Sequence, residues 1–209
     1  MDVAVPIVFP DYRIAVDLPP IEVDLLPWFT FDNVRTPKYK DRWSNLGHAG
    51  VLFINGATGL TKYYEYGRYD PQGLGAVKNR PVPNVLIHEG QIQQNSLRRP
   101  LHEIAVKAGQ SGRIQGVYIE VEHGFAPMLE FAQLRESQNA NPRRKAYDLL
   151  THSCVHFVKD VVATAGIETP WMLDPRPNSY IGEFRDDYPD LDYAPRTREL
   201  KIEGRAAAA

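Results

Sequence analysis

Apolar and polar positions divide the chain into short runs with two different periods. His48-Ala-Gly-Val-Leu-Phe-Ile54 and Thr61-Lys-Tyr-Tyr-Glu-Tyr-Gly-Arg-Tyr69 are strand-forming, and Asn55-Gly56-Ala57-Thr58-Gly59-Leu60 between them is rich in turn residues. That combination predicts a β-hairpin. If Ile54 lies opposite Thr61, His48 faces Gly67, and Glu65 is its diagonal neighbour on the same sheet face. Ile114 to Val121 alternates as a third strand. Helical spacing appears at Leu101, Ile104, Ala105 and Ala108, in a segment opened by Pro100 and closed by Gly109. A second helix is predicted from Phe125 to about Gln138, with Met128, Leu129, Phe131, Ala132 and Leu134 as its apolar face. A third runs from Ser153 to Ala165 and ends at Gly166, a residue suited to a left-handed cap.

The remaining segments read as irregular. Pro6, Pro10, Pro19, Pro20, Pro27 and Pro37 favour extended chain over helix, so residues 1–41 are expected to form an arm packed on the domain. Trp28, Phe29 and Phe31 would dock that arm on the core. From Asp70 to about Asn95 a loop is expected, with Pro81, Pro83 and a short strand at Val85-Leu86-Ile87. Prolines and acidic residues after Thr169, ending in Glu183 to Asp192, predict a loop-rich end. The catalytic domain is thus bounded at 42–195, followed by a tail at 196–209. In that tail Ile202-Glu203-Gly204-Arg205 and four alanines look like an engineered protease site with a linker scar.

Composition narrows the classes of function. The 209 residues include 26 acidic and 24 basic side chains, a net charge of -2, so nucleic acid or an anionic membrane would find no bulk positive charge. No apolar run approaches the roughly 20 residues of a membrane span, and the start MDVAVPIVFPDYR lacks a basic-then-apolar leader. The expectation is a chain made in the cytoplasm without a signal peptide and without a stable membrane anchor. One cysteine, Cys154, excludes an internal disulfide and any multi-cysteine zinc site.

Cys154 opens the third predicted helix, where free amides and the helix dipole favour a thiolate. It shares a stripe with Val158, Val161 and Ala165, so a small buried hydrophobe is the competing reading. A nucleophile needs a base and a group that orients it. His48, at the start of a strand beside the small Ala49 and Gly50, is the candidate base, and Glu65 the candidate orienting group. His152 and His156 have the spacing of a zinc pair without a third ligand, and His152 could also tune the thiol. His88-Glu89 and His102-Glu103 lack a supporting motif. Arg98 and Arg99, and the run Arg143, Arg144 and Lys145, are basic clusters that are either solvated or available to a carboxylated substrate.

With histidine on an early strand, an acidic residue on the next and cysteine at a late helix start, the chain resembles circularly permuted papain-like enzymes of the NlpC superfamily. Tyr147-Asp-Leu-Leu-Thr-His-Ser-Cys-Val-His-Phe157 is similar to the superfamily's nucleophile motif, with Ser153 where relatives commonly carry asparagine. His48-Ala-Gly-Val-Leu-Phe-Ile54 resembles its histidine strand, and the likeness spans roughly Asn45 to Ile167. The resemblance implies an α+β, papain-like fold with a small antiparallel sheet packed against the nucleophile helix. It implies catalysis by Cys154, His48 and Glu65, with the Cys154 amide donating to an oxyanion and neither metal nor organic cofactor taking part. The implied activity is a cysteine peptidase or amidase cutting peptidoglycan peptides, as in toxins delivered by type VI secretion. The lecithin:retinol acyltransferase-like branch implies lipid acyl transfer or thioester hydrolysis instead, and a non-catalytic binding domain is the third reading. Implied partners are the peptidoglycan peptide, a cognate immunity protein and a component of the secretion machine, with action in a target bacterium's periplasm.

Overall fold

The computed structural model describes residues 1–13, 47–70, 72–172 and 174–203. Its centre is an eight-stranded antiparallel sheet built from β1 (Asp2–Phe9), β2 (His48–Ile54), β3 (Thr61–Gly67), β4 (Ala76–Arg80), β7 (Ile114–Val117), β8 (Ile119–Val121), β9 (Asp190–Ala194) and β10 (Glu199–Glu203). The strand order is β10-β9-β7-β1-β2-β3-β4, with β8 also paired to β1. A separate two-stranded ribbon joins β5 (Ile87–His88) to β6 (Gln91–Ile92). The helices are α1 (Arg98–Lys107), α2 (Phe125–Ser137), α3 (Cys154–Ala163) and α4 (Pro177–Phe184).

The predicted hairpin forms with the expected register, Ile54 opposite Thr61 and Gly50 opposite Glu65. β2 is buried along its whole length because both sheet faces are covered. Ala49, Val51 and Phe53 pack with Val158, Val161, Met128 and Ile181 of α3, α2 and α4 on one face. Leu52 and Ile54 pack with Leu97, Leu101 and Ile104 around α1 on the other. The sheet is therefore larger than the small one expected, and it is enclosed from two sides.

The start of the chain departs furthest from expectation. Asp2–Phe9 is not an external arm: β1 is the middle strand, pairing with β2 along one side and with β7 and β8 along the other. Pro6, which argues against a central strand, sits where the partner changes. Asp2–Ala4 pair with β8, Ile7 and Val8 pair with β7, and Tyr118 between β7 and β8 turns its amide to the Pro189 carbonyl instead. The proline's missing N–H falls in a gap of the ladder, where it costs no hydrogen bond. Trp28, Phe29 and Phe31 lie outside the described residues. Because Ile7 is fully buried, Ile7→Ala should cost about 2–5 kcal/mol, read as a lowered urea midpoint at constant slope. A residue on an external arm would shift that midpoint little.

The end of the chain also differs. In the segment read as loop, Leu191 and Tyr193 alternate inward from β9, and β10 adds an edge strand that includes Ile202 and Glu203 of the apparent cleavage site. α4 buries Tyr180, Ile181 and Phe184. β4 forms within the predicted loop after Asp70. In α2 the buried residues are Phe125, Met128 and Ala132, whereas Leu134 is exposed.

Candidate active site

Strand alternation sends His48 and Glu65 to the α1 face of the sheet, whereas α3 lies on the opposite face. They meet Cys154 because His48 is the first residue of β2, at the end of the sheet beside the start of α3. Gly47, immediately before it, has φ +74°, and a Cβ there would lie 2.2 Å from Asn178 Oδ1, so the turn that delivers His48 requires glycine. Gly50, opposite Glu65, makes room for Tyr63: a Cβ at Gly50 would fall 2.3 Å from the Tyr63 hydroxyl.

That hydroxyl donates to Glu65 Oε2 at 3.2 Å, and Arg80 Nε donates to Glu65 Oε1 at 2.7 Å. His48 Nε2 lies 3.2 Å from Glu65 Oε2 and 3.1 Å from the Tyr69 hydroxyl. With Nε2 so engaged, Nδ1 is the nitrogen left to face Cys154, and imidazole and thiol lie near enough for each to favour the other's charged form. The Phe9 ring stacks on His48 at 6.2 Å and Tyr12 lies over it at 5.0 Å between centroids. Glu65 is 0 % exposed, Cys154 1 % and His48 6 %, so a substrate reaches the sulfur only when surrounding side chains shift.

Burial opposes ionisation of all three groups, yet each carries its charge more readily than usual. For His48, desolvation acts downward, but hydrogen bonds and charge from Cys154 and Glu65 raise the imidazole from 6.5 to about 9. For Glu65, desolvation acts upward, and His48 with Arg80 brings the carboxyl down from 4.5 to about 2. The Cys154 thiol is likewise lowered: burial works against the thiolate, and His48, the Ala49 amide and Tyr147 outweigh it. The arrangement thus favours a thiolate–imidazolium pair held by a carboxylate. Titrated by its ultraviolet absorbance, the Cys154 thiolate should appear below the ordinary thiol value of 9.0. In His48→Ala the midpoint should move above that value; an unmoved midpoint would mean that the imidazole does not ionise the sulfur.

The entrance to α3 is capped locally. Ser153 is the N-cap, and His156 Nδ1 pairs with its hydroxyl at 2.9 Å and its amide at 3.4 Å in a capping box. Serine with histidine thus organises the helix entrance. The Cys154 amide donates to the Tyr147 hydroxyl at 3.5 Å, and that hydroxyl donates to Cys154 Sγ at 3.6 Å. The amide expected to serve an oxyanion is therefore partnered by Tyr147 in this state. His152 meets neither the sulfur nor the capping box: it stands edge-on to Tyr66 at 5.3 Å, with Arg135 at 3.5 Å. Among the described residues no group of three or more potential ligands converges on a metal position. His88 pairs with exposed Glu89, and His102 meets the Tyr193 hydroxyl.

Tyr63, Tyr69, Arg80, Tyr12 and the Ala49 amide were not legible as site residues. Tyr63 was the most accessible to reasoning, since it precedes Glu65 by the two-residue period that shares a face. Arg80 depends on β4, which the loop-like composition hides.

Comparison with known proteins supplies an independent line. The model of the family described as type VI secretion system effector TseH-like matches residues 4–169. The crystal structure of a type VI secretion system effector, TseH, superposes with a TM-score of 0.77 at 34% identity, covering 97% of this chain and 98% of that one. No curated protein matches.

Proposed function

The chain belongs to the TseH-like family of type VI secretion system effectors, proteins delivered to target cells, and from that membership and its buried Cys154–His48–Glu65 line we propose a cysteine hydrolase that cuts an amide bond in peptidoglycan peptides. The observation that carries the reading is the buried convergence of Cys154, at the start of α3, with His48 and the Glu65 that His48 meets at 3.2 Å, an arrangement that favours the charged forms of thiol and imidazole. A cysteine packed only as a hydrophobe has no need of a base on an opposite-face strand and a carboxylate behind it. The permuted NlpC-type papain-like arrangement is part of the same proposal.

In this mechanism the Cys154 thiolate attacks the amide carbonyl carbon, and the carbonyl electron pair moves to oxygen. The Cys154 amide and Tyr147 hydroxyl, now directed at each other and the sulfur, turn to that oxyanion; such donors are typically worth a few kcal/mol. His48 then gives its proton to the leaving amine as the C–N bond breaks, leaving an acyl thioester. Neutral His48 next takes a proton from water, the resulting hydroxide attacks the thioester carbon, and the C–S bond breaks to give the thiolate and a carboxylic acid, which loses its proton to solvent. Glu65 holds Nε2–H throughout, so that Nδ1 faces the sulfur, and Arg80 with Tyr63 holds Glu65.

The proposed place of action is the periplasm of a target bacterium, and the proposed partner is an immunity protein covering the route to Cys154. Purified protein incubated with sacculi should release fragments bearing new amines, and mass spectrometry of the muropeptides would locate the bond. Sacculi left unchanged, with no new amine, would refute the hydrolase reading.

A further inference from the structure

Of the two basic clusters in the sequence, the run Arg143, Arg144 and Lys145 borders a cavity. Arg98 and Arg99 are exposed on α1. Beside the segment that leads into α3, a cavity of about 460 Å³ is lined by Arg135, Arg143, Arg144, Lys145, Tyr66 and His152, and no carboxylate lines it. In a chain of net charge -2, four cations around one cavity, two of them without an ion pair among the described residues, are a local departure from the average surface.

The cations differ in how they are held. Arg144 is fixed by Asp70 and by the Gly75 carbonyl at 2.8 Å. Arg135, 15 % exposed, lies against the rings of Tyr66, Phe131 and Phe157 and is 3.6 Å from Asp160. Arg143 and Lys145 make no ion pair among the described residues. The resulting field reaches His152, whose imidazole is lowered by burial first and then by the charges of Arg135 and Lys145. Two rings separate the cavity from the sulfur: Tyr66, in its lining, stacks at 5.7 Å on Tyr147, whose hydroxyl contacts Cys154.

We propose that this cavity is a subsite for a free carboxylate on the peptide whose amide bond Cys154 attacks, a proposal that rests on the hydrolase reading. Guanidinium forks match a carboxylate's two oxygens, and a cavity of this size admits a side chain or chain end of a short acidic peptide. Arg143 and Lys145 contribute charge that is not already neutralised. Arg135 and Arg144, held by packing and hydrogen bonds, provide the rigid wall.

The full-length Cys154→Ala protein allows binding to be measured without turnover. Its affinity for a short stem peptide with free carboxylates, measured calorimetrically, should fall tenfold or more when those carboxylates are amidated. The same loss is expected with the intact peptide when Arg143→Glu and Lys145→Glu are added. Arg143→Gln with Lys145→Gln should give a smaller loss, and with Cys154 restored the reversed-charge protein should keep its thiolate titration, which reports an intact site. Sodium acetate at the peptide's concentration should displace little of it. Equal affinity for the amidated peptide, unchanged affinity after charge reversal, or full displacement by acetate would each overturn the subsite. None of these bears on sacculus cleavage by the wild-type chain, so the two readings fail separately.

Discussion

Replacing Cys154 with alanine is expected to lower amide cleavage by at least about 10⁴-fold while leaving the chain folded. The size of the loss follows from the role assigned to the sulfur. Without a nucleophile there is no acyl thioester, and only binding and oxyanion contacts remain to assist water. The structural cost should be modest, about 1 kcal/mol, because alanine fills most of the same buried position between Ser153 and Val155. Rates on sacculi, set beside thermal unfolding of the same preparations, check both halves. A variant that keeps more than a hundredth of the wild-type rate would remove Cys154 from the chemistry. His48→Ala should be nearly as damaging, and the double variant should lose little more than either single one, since the pair acts as a unit.

Glu65→Gln is expected to have the second largest effect, and on two quantities at once. Glutamine keeps the size but removes the charge that meets Arg80, His48 and Tyr63, so the rate should fall about 10²–10⁴-fold. Stability should fall by about 3–5 kcal/mol, because the Arg80 and His48 charges lose their buried counter-charge. Acid sensitivity separates this from general damage. A carboxyl brought from 4.5 down to about 2 stabilises the folded chain fully above pH 4.5, and that contribution drains away as pH falls toward 2. It is worth on the order of 3 kcal/mol. Wild type should therefore lose stability steeply between those values, whereas Glu65→Gln should be flatter across the same window. His48 acts in the opposite direction: raised from 6.5 to about 9, its contribution is complete below pH 6.5 and disappears as pH rises through 9. Chemical denaturation across pH distinguishes the two limbs, and equal acid slopes in wild type and Glu65→Gln would show that Glu65 is not held ionised by its neighbours.

The residues that meet at the site were legible because their signals are local. The turn-rich Asn55–Leu60 fixes the register of β2 and β3, and the register alone sets Glu65 diagonal to His48. Ser153 and Cys154 mark a helix start through capping preference, and Gly166, at φ +74°, closes the helix region as expected. The sheet was less legible, because its membership is decided by distant partners. Pro6 reads as a strand breaker until the gap at Tyr118 is known, and nothing near Pro6 in sequence encodes that gap. Leu191 and Tyr193 alternate correctly, but the acidic residues around them mask a strand whose outward positions face solvent or Arg113 and Arg185. The same difficulty hid Arg80, which gains meaning only once β4 is placed beside β3.

One neighbour of β1 is β7, more than a hundred positions later in the chain. Loop closure over that distance is slower than the closer pairing of β1 with β2. An unfolded chain therefore holds Cys154 and His48, the proposed nucleophile and base, on segments that have not yet been brought together. The meeting of Cys154 with His48 arrives with the finished sheet, and the proposed chemistry is out of reach of a chain whose strands have not yet paired.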